Sequence, residues 1–480
     1  MSTEMKTSGA WLVAMLLVAP MTQAAVSGIS GTPCAGASAC FDLQARAGHI
    51  ALGDGNSLLT WGYGVAGSDM QYPGPTLIVN QGDTVQVTLT NTDIPLPVSI
   101  VFPGQVGVNA SGGTTGLITN EVATGGGTVT YTFTASNAGT YMYQSGSTPE
   151  LEVEMGMVGA LIVRPSGFNA ASPHAYNYGT VATAYDREFL FFLSDMDRRA
   201  HAAVETTLQA ALAAGTPITD DLLVAAADPA AYAATLWFIN GRNGPDTMHP
   251  DNIGWLPRQP YGALARMHPG ERTLMRIVGA GRDLHPFHHH GNNAWLIARD
   301  GRVLGSGDAT PEAPYPDFLP RPPVAPLANP DLAPGGVTSA RLPDLATSNY
   351  TVQVVPGSTY DAIFTWTGLG LNWDIYGNRP GHSPSDCGAR EPNEDPNSHC
   401  KAIPVVLPEQ QSLTFGGLWS GSAYLGTLEA LPPNQGGLNP AGGFSYMWHS
   451  HTERELTNDD IFPGGMMTMM IIEGPEVPLD

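Results

Sequence analysis

The chain has 480 residues, enough for two or three domains with cores of their own. Only 13% of the residues are charged, yet the formal net charge is −23, which excludes the basic surface that nucleic-acid phosphates need and fits a self-repelling extracellular protein. Gly (57) and Pro (41) both exceed average usage, which points to many turns and a β-rich fold.

In chain order, Lys6 precedes an apolar run over residues 9–20, and Thr22, Gln23, Ala24 and Ala25 follow it. A positive start, a hydrophobic segment and a small-residue cleavage site predict a signal peptide over residues 1–25, hence an exported protein, periplasmic or extracellular. The apolar run is too short for a bilayer, and no later run is long enough, so no membrane span is expected. The four cysteines, Cys34, Cys40, Cys387 and Cys400, are spaced for two local disulfides. A thiolate metal site with His399 is the alternative.

Residues 35–165 read as all-β. Val85, Val87 and Leu89 alternate with polar residues, residues 128–133 alternate again, and residues 138–143 and 158–163 close the unit as a sandwich or barrel. Residues 166–235 read as a connecting segment with one strand near residues 189–193 and two Ala- and Leu-rich helices, over 202–214 and 220–234. A second β unit runs over residues 236–475. Long loops interrupt it at 305–344, which is Pro-rich, and at 377–404, which carries the second Cys pair.

The chemistry-bearing stretch lies in this second unit. Residues 284–291 read Leu-His-Pro-Phe-His-His-His-Gly and place His285, His288, His289 and His290 within six positions, in a chain with 13 histidines. Far downstream, His449 and His451 flank Ser450. Side chains at i and i+2 of a strand share a face, so His288 with His290, and His449 with His451, each present two imidazoles together. Imidazole suits copper, zinc and iron. Met466, Met467, Met469 and Met470 add thioethers that fit Cu(I), although alternation puts only half of them on one face.

These stretches resemble the multicopper oxidase family, the laccase-like proteins built from cupredoxin domains. The resemblance rests on Pro73-Gly74-Pro75-Thr76-Leu77 with Gly82-Asp83, on Met157 to Val163, on Ile239-Asn240-Gly241, on His285 to Gly291, and on Trp448 to His451 followed by Gly464-Gly465-Met466-Met467. It implies two cupredoxin-like Greek-key β-sandwich domains joined by the partly helical segment. By the family pattern His285 would bind type 1 copper, with Met466 or Met467 near its axial position. His288 would bind type 2 copper, and His290, His449 and His451 the type 3 pair. The resemblance also implies a homo-oligomer, a ring trimer as in two-domain relatives.

The chain departs from the family in four places. Ser450 stands where the family has its thiolate Cys, and Glu455 where it has a type 1 histidine. In the first domain Val101 and Pro103 replace one histidine pair, and Gln144 and Gly146 the other. The expected metal set is therefore reduced: one copper ion per chain on His288, His290, His449 and His451, with zinc left open, and no blue centre. Glu453 and Glu455 are available as supplements, and so are Glu150, Glu152 and Glu154, although a solvated strand edge is the ordinary reading of that alternating trio. The functions left standing are an altered copper oxidoreductase acting on a metal ion or small organic reductant, a non-catalytic copper-binding protein, and a structural module of an extracellular assembly.

Overall fold

The computed structural model describes residues 25–177, 183–268, 270–305, 345–366, 443–473 and 477–479, with the backbone of Ser422–Tyr424. Residues 1–24 of the expected signal peptide, most of the Pro-rich loop and the expected Cys387–Cys400 disulfide lie outside the described residues.

Two β-sandwiches carry the chain. In the first, a four-stranded sheet runs Ile29–Ser30, Gly74–Asn80, Val158–Arg164, Gly139–Gln144. It faces a six-stranded sheet built on Ala37–Ala51, Thr84–Asn91 and Thr128–Thr134. The alternation expected at residues 85–89 is present: Val85, Val87 and Leu89 point inward and are buried, with Val87 opposite Tyr131 across the ladder. Cys34 and Cys40 form a disulfide with Cα atoms 6.1 Å apart.

The second sandwich pairs a seven-stranded sheet with a six-stranded one. The first is built on Arg187–Met196, Arg272–Gly279, Thr359–Thr365 and Ala294–Arg299. The second runs Ala265–Met267, Met467–Ile472, Gly443–Ser450, His285–His289, Thr351–Val354.

The stretch read as a connector divides between the two sandwiches. Its strand Arg187–Met196 pairs parallel to Arg272–Gly279 and antiparallel to Leu236–Ile239, inside the second sandwich. Its helices instead cover the first: Ala200, Val204, Leu223 and Ala227 join that core. Helix Arg198–Ala214 starts before the apolar run because Asp197 caps it, accepting from the Arg199 N–H, and it ends on left-handed Gly215. Helix Asp220–Ala227 is shorter than the Ala-rich run suggests. Asp228 takes a left-handed conformation there, and Pro229 follows.

One expectation is corrected. Residues 149–152 form a short helix rather than a strand, and Glu152 and Glu154 are buried rather than solvated. Glu152 accepts from the Ser145 hydroxyl, and burial pushes its carboxyl well above the usual range.

The sandwiches meet through Met142, Ala160 and Ile162 on one side and Phe192, Phe238 and Val278 on the other. Beside this apolar seam, Glu188 binds Arg164 of the first sandwich and Arg276 of the second.

Candidate metal centre

The histidine stretch becomes strand His285–His289, antiparallel to Thr351–Val354 on one side and Gly443–Ser450 on the other. Register places His288 directly opposite His449, and Phe287 opposite Ser450. Alternation then sends His288, His290, His449 and His451 to one face. His285, Phe287, His289 and Ser450 go to the other.

On the first face, candidate ligand atoms of His288, His290 and His449 all lie within 4.8 Å of one another. The Nε2 atoms of His290 and His449 are 3.2 Å apart. His451 stands beside the trio, its ring 4.9 Å from that of His288 and its Nδ1 3.6 Å from the exposed Glu453 carboxylate.

Outer partners fix two of these rings. His449 donates from Nδ1 to the Ser450 carbonyl at 2.6 Å, which leaves the Nε2 lone pair for a ligand. His288 pairs through Nδ1 with the Thr351 hydroxyl at 2.8 Å, while its Nε2 is buried with no partner among the described residues. An orphaned, buried imidazole nitrogen aimed among other imidazoles fits a metal ligand. Burial, reinforced by the neighbouring rings, pushes His288 down to about 3, and burial pushes His449 down to about 4. Both are neutral at neutral pH, the state that coordinates copper or zinc.

His289, on the opposite face, is a core residue. It packs edge-on against Phe364 and Trp448, and its Nε2 lies 2.9 Å from the Asn349 carbonyl.

His285 sits at the other end of the strand, fully buried between two carboxylates. Its Nε2 is 3.1 Å from Asp195 Oδ1 and its Nδ1 is 3.0 Å from Glu455 Oε2. Burial alone would lower its pKa; hydrogen bonds to Asp195 and Glu455 outweigh that and raise it to about 9. Asp195 also accepts from the Tyr232 hydroxyl and from the N–H groups of Arg282 and Asp283. Met466 is buried in the second core, and its N–H donates to the Glu455 carbonyl at 2.7 Å. Met470 is buried with it, whereas Met467 and Met469 are half-buried.

Sequence reasoning missed Asp195 and Thr351. Asp195 is 90 residues from His285 in the chain and had no local signal; only the parallel pairing of its strand brings it here.

The first-domain positions also come together, without imidazoles. Val101 and Gln144 exchange backbone hydrogen bonds of 2.8 and 3.1 Å. A side chain at Gly146 would meet Val101 Cγ1 at 2.6 Å. Around them runs a hydroxyl cluster in which Ser147 donates to Glu121 at 3.0 Å and lies 3.0 Å from the Ser99 hydroxyl.

Comparison with known proteins agrees with the resemblance drawn from the motifs. Residues 60–167 match the family model of multicopper oxidases. A copper-containing nitrite reductase of Alcaligenes xylosoxydans xylosoxydans is 33% identical over 129 residues, which are 26% of this chain and 35% of that protein. The match thus spans about a third of its curated relative. Among solved structures, the multicopper oxidase mgLAC aligns with a TM-score of 0.50 at 18% identity, over 92% of this chain and 87% of its own. A blue copper oxidase from Nitrosomonas europaea gives 0.48 at 19% identity, over 90% and 85%. A copper nitrite reductase from Nitrosomonas europaea gives 0.47 at 14%, over 92% and 97%. The chain thus carries a multicopper oxidase family domain over residues 60–167, on a fold shared with the multicopper oxidase mgLAC.

Proposed function

We propose that this chain is an exported copper protein derived from an oxidoreductase, with one copper ion held by His288, His290 and His449 and no blue centre. The supporting observation is the compact imidazole trio, with the buried Nε2 of His288 unpartnered among the described residues. His451 completes the set from the solvent side.

Copper bound by imidazoles would supply one-electron chemistry. The protein's part is to hold the rings. Thr351 and the Ser450 carbonyl orient His288 and His449, and burial keeps both neutral. His290 and His451 are half-exposed, so a small reductant or metal ion reaches this face directly. Direct access matters because Ser450 offers no thiolate through which electrons from a second centre would pass. Non-catalytic copper capture is the second reading, and the lost first-domain ligands favour it.

The test is metal content with electron paramagnetic resonance. About one copper per chain with a type 2 signal and no intense blue band is expected from the ligand set. Two or more tightly bound coppers, or a blue band, would overturn the assignment. Zinc, added in competition, reports which ion the trio prefers. Turnover of reductants with dioxygen or nitrite separates enzyme from carrier.

The assembly follows from the same reading. Val106, Leu117 and Ile118 are exposed apolar side chains, and Ile118 sits beside the Val101 and Gly146 positions. A ring trimer would cover this face with the next subunit, and sedimentation that gives a monomer would refute it.

A further inference from the structure

His285 contributes nothing to the metal trio, yet it is the most completely engaged histidine of its strand. Each ring nitrogen lies at hydrogen-bond distance from a different buried carboxylate, 3.0 Å to Glu455 and 3.1 Å to Asp195. An ionised carboxylate only accepts hydrogen bonds. The two contacts, with a His285 pKa raised to about 9 by these same partners, point to protons on both nitrogens, an imidazolium.

The two carboxylates are themselves anchored. Asp195 receives the Tyr232 hydroxyl and the N–H groups of Arg282 and Asp283, so it pins the turn that leads into His285. Glu455 lies in the turn Glu453–Leu456, four positions after His451, and its backbone carbonyl accepts from Met466. Next to that turn, His451 donates its N–H to the Pro286 carbonyl at 2.8 Å, which extends the ladder between the two histidine segments.

We infer that His285 is a positioning residue: clamped as an imidazolium between Asp195 and Glu455, it locks strand Arg187–Met196, strand His285–His289 and turn Glu453–Leu456 together, and so sets His288 against His449 and His451. The cluster does this without a metal. Two hydrogen bonds from opposite nitrogens of one ring to two carboxylates hold the segments that a bound cation would otherwise cross-link. A metal could reach His285 only by displacing a carboxylate from one of its nitrogens, so the clamp also keeps copper off this ring.

The positioning role rests on the copper-site reading, whereas the protonation state of His285 does not, and one set of experiments separates them. Long-range proton–nitrogen correlation spectra of metal-free protein at neutral pH should show both His285 nitrogens protonated; a neutral ring overturns the clamp. In Glu455→Gln and Asp195→Asn, which keep side-chain shape, Cu(II) affinity measured by competition titration should fall, by up to about tenfold, the lower end of the cost of losing a direct outer partner of a metal ligand. The copper resonance parameters should change with it. Unchanged affinity and parameters overturn the positioning role. If wild type binds no copper, the metal reading fails alone. The ring signals of His288 and His449 in the metal-free variants then decide: displaced signals support positioning, and unmoved signals refute it.

Discussion

Replacing Glu188 by Gln tests whether the seam between the sandwiches is held by charge. Glu188 Oε1 receives Arg164 Nη1 and Arg276 Nε, both at 2.5 Å. All three groups are buried, with side-chain exposures of 1% for Glu188, 7% for Arg164 and 0% for Arg276. Burial alone would raise the Glu188 carboxyl, but the two guanidinium groups outweigh it and hold its pKa at about 2. Glutamine keeps the shape and removes the charge, so two buried guanidinium groups lose their shared counterion. Breaking a buried ion pair from one side costs about 3–5 kcal/mol. Asp361, 3.5 Å from Arg276, retains part of the compensation and puts the expected loss near about 3 kcal/mol. That is a large share of a total stability of about 5–15 kcal/mol. Guanidinium denaturation at pH 7 measures it. The acid limb gives a second reading. A carboxyl lowered from 4.5 to about 2 contributes stability that is present above pH 4.5 and lost as pH falls toward 2. The variant should lose that part of the acid dependence. A loss below about 1 kcal/mol with an unchanged acid limb would show that the network is not the lock, since that is the range of exposed pairs.

Replacing His288 and His449 together by Ala should abolish copper retention on dialysis, while His451→Ala weakens it less, because His451 is half-exposed and lies outside the trio; unchanged content in the double variant refutes the site. Ser450→Cys alone should leave copper-loaded protein without an intense blue band in its visible spectrum, because both nitrogens of His285 are already engaged. Metal-free protein should lose stability on the alkaline side. A histidine raised from 6.5 to about 9 contributes stability that is full below pH 6.5 and lost as pH rises through 9. The upper bound is about 3 kcal/mol, read as the drop in urea midpoint from pH 7 to 10, and Glu455→Gln should flatten that drop.

The strands were legible because burial imposes a period of two. Val85, Val87 and Leu89 announce their strand, and His449 and His451 their shared face, from spacing alone. Where tertiary partners decide, local pattern says less. Glu152 and Glu154 look like a solvated edge, but Ser145 meets Glu152 in the interior, and Glu154 accepts the Asp197 N–H. The Arg187–Met196 strand was visible, yet its sheet was not, since a parallel partner 86 residues downstream leaves no mark in the local sequence. Asp195 was hidden for the same reason, and with it the partner of His285. Glu455 could be seen as a replacement for a metal ligand. That it pairs with His285 needs the three-dimensional arrangement.

The departures from the family pattern then fall into order by strand face. Ser450 pairs opposite Phe287, on the face that also carries His285. The thiolate position, the clamped histidine and the carboxylate at 455 therefore belong to one side of the same two strands. The retained imidazoles belong to the other side. Removing a metal from a buried site would leave its imidazole unpaired, at a cost of about 1–3 kcal/mol for each unsatisfied polar group. Asp195 and Glu455 satisfy both nitrogens of His285, and the Ser450 hydroxyl accepts the Thr452 N–H at 3.2 Å. His285 and Ser450 thus have protein partners on that face, although His289 Nδ1 beside them has none among the described residues. On the other face, His288 Nε2 has no partner among the described residues and is aimed among the other imidazoles. The alternation of side chains makes the two faces separable, so one pair of strands presents an ion cluster on one side and the imidazole trio on the other.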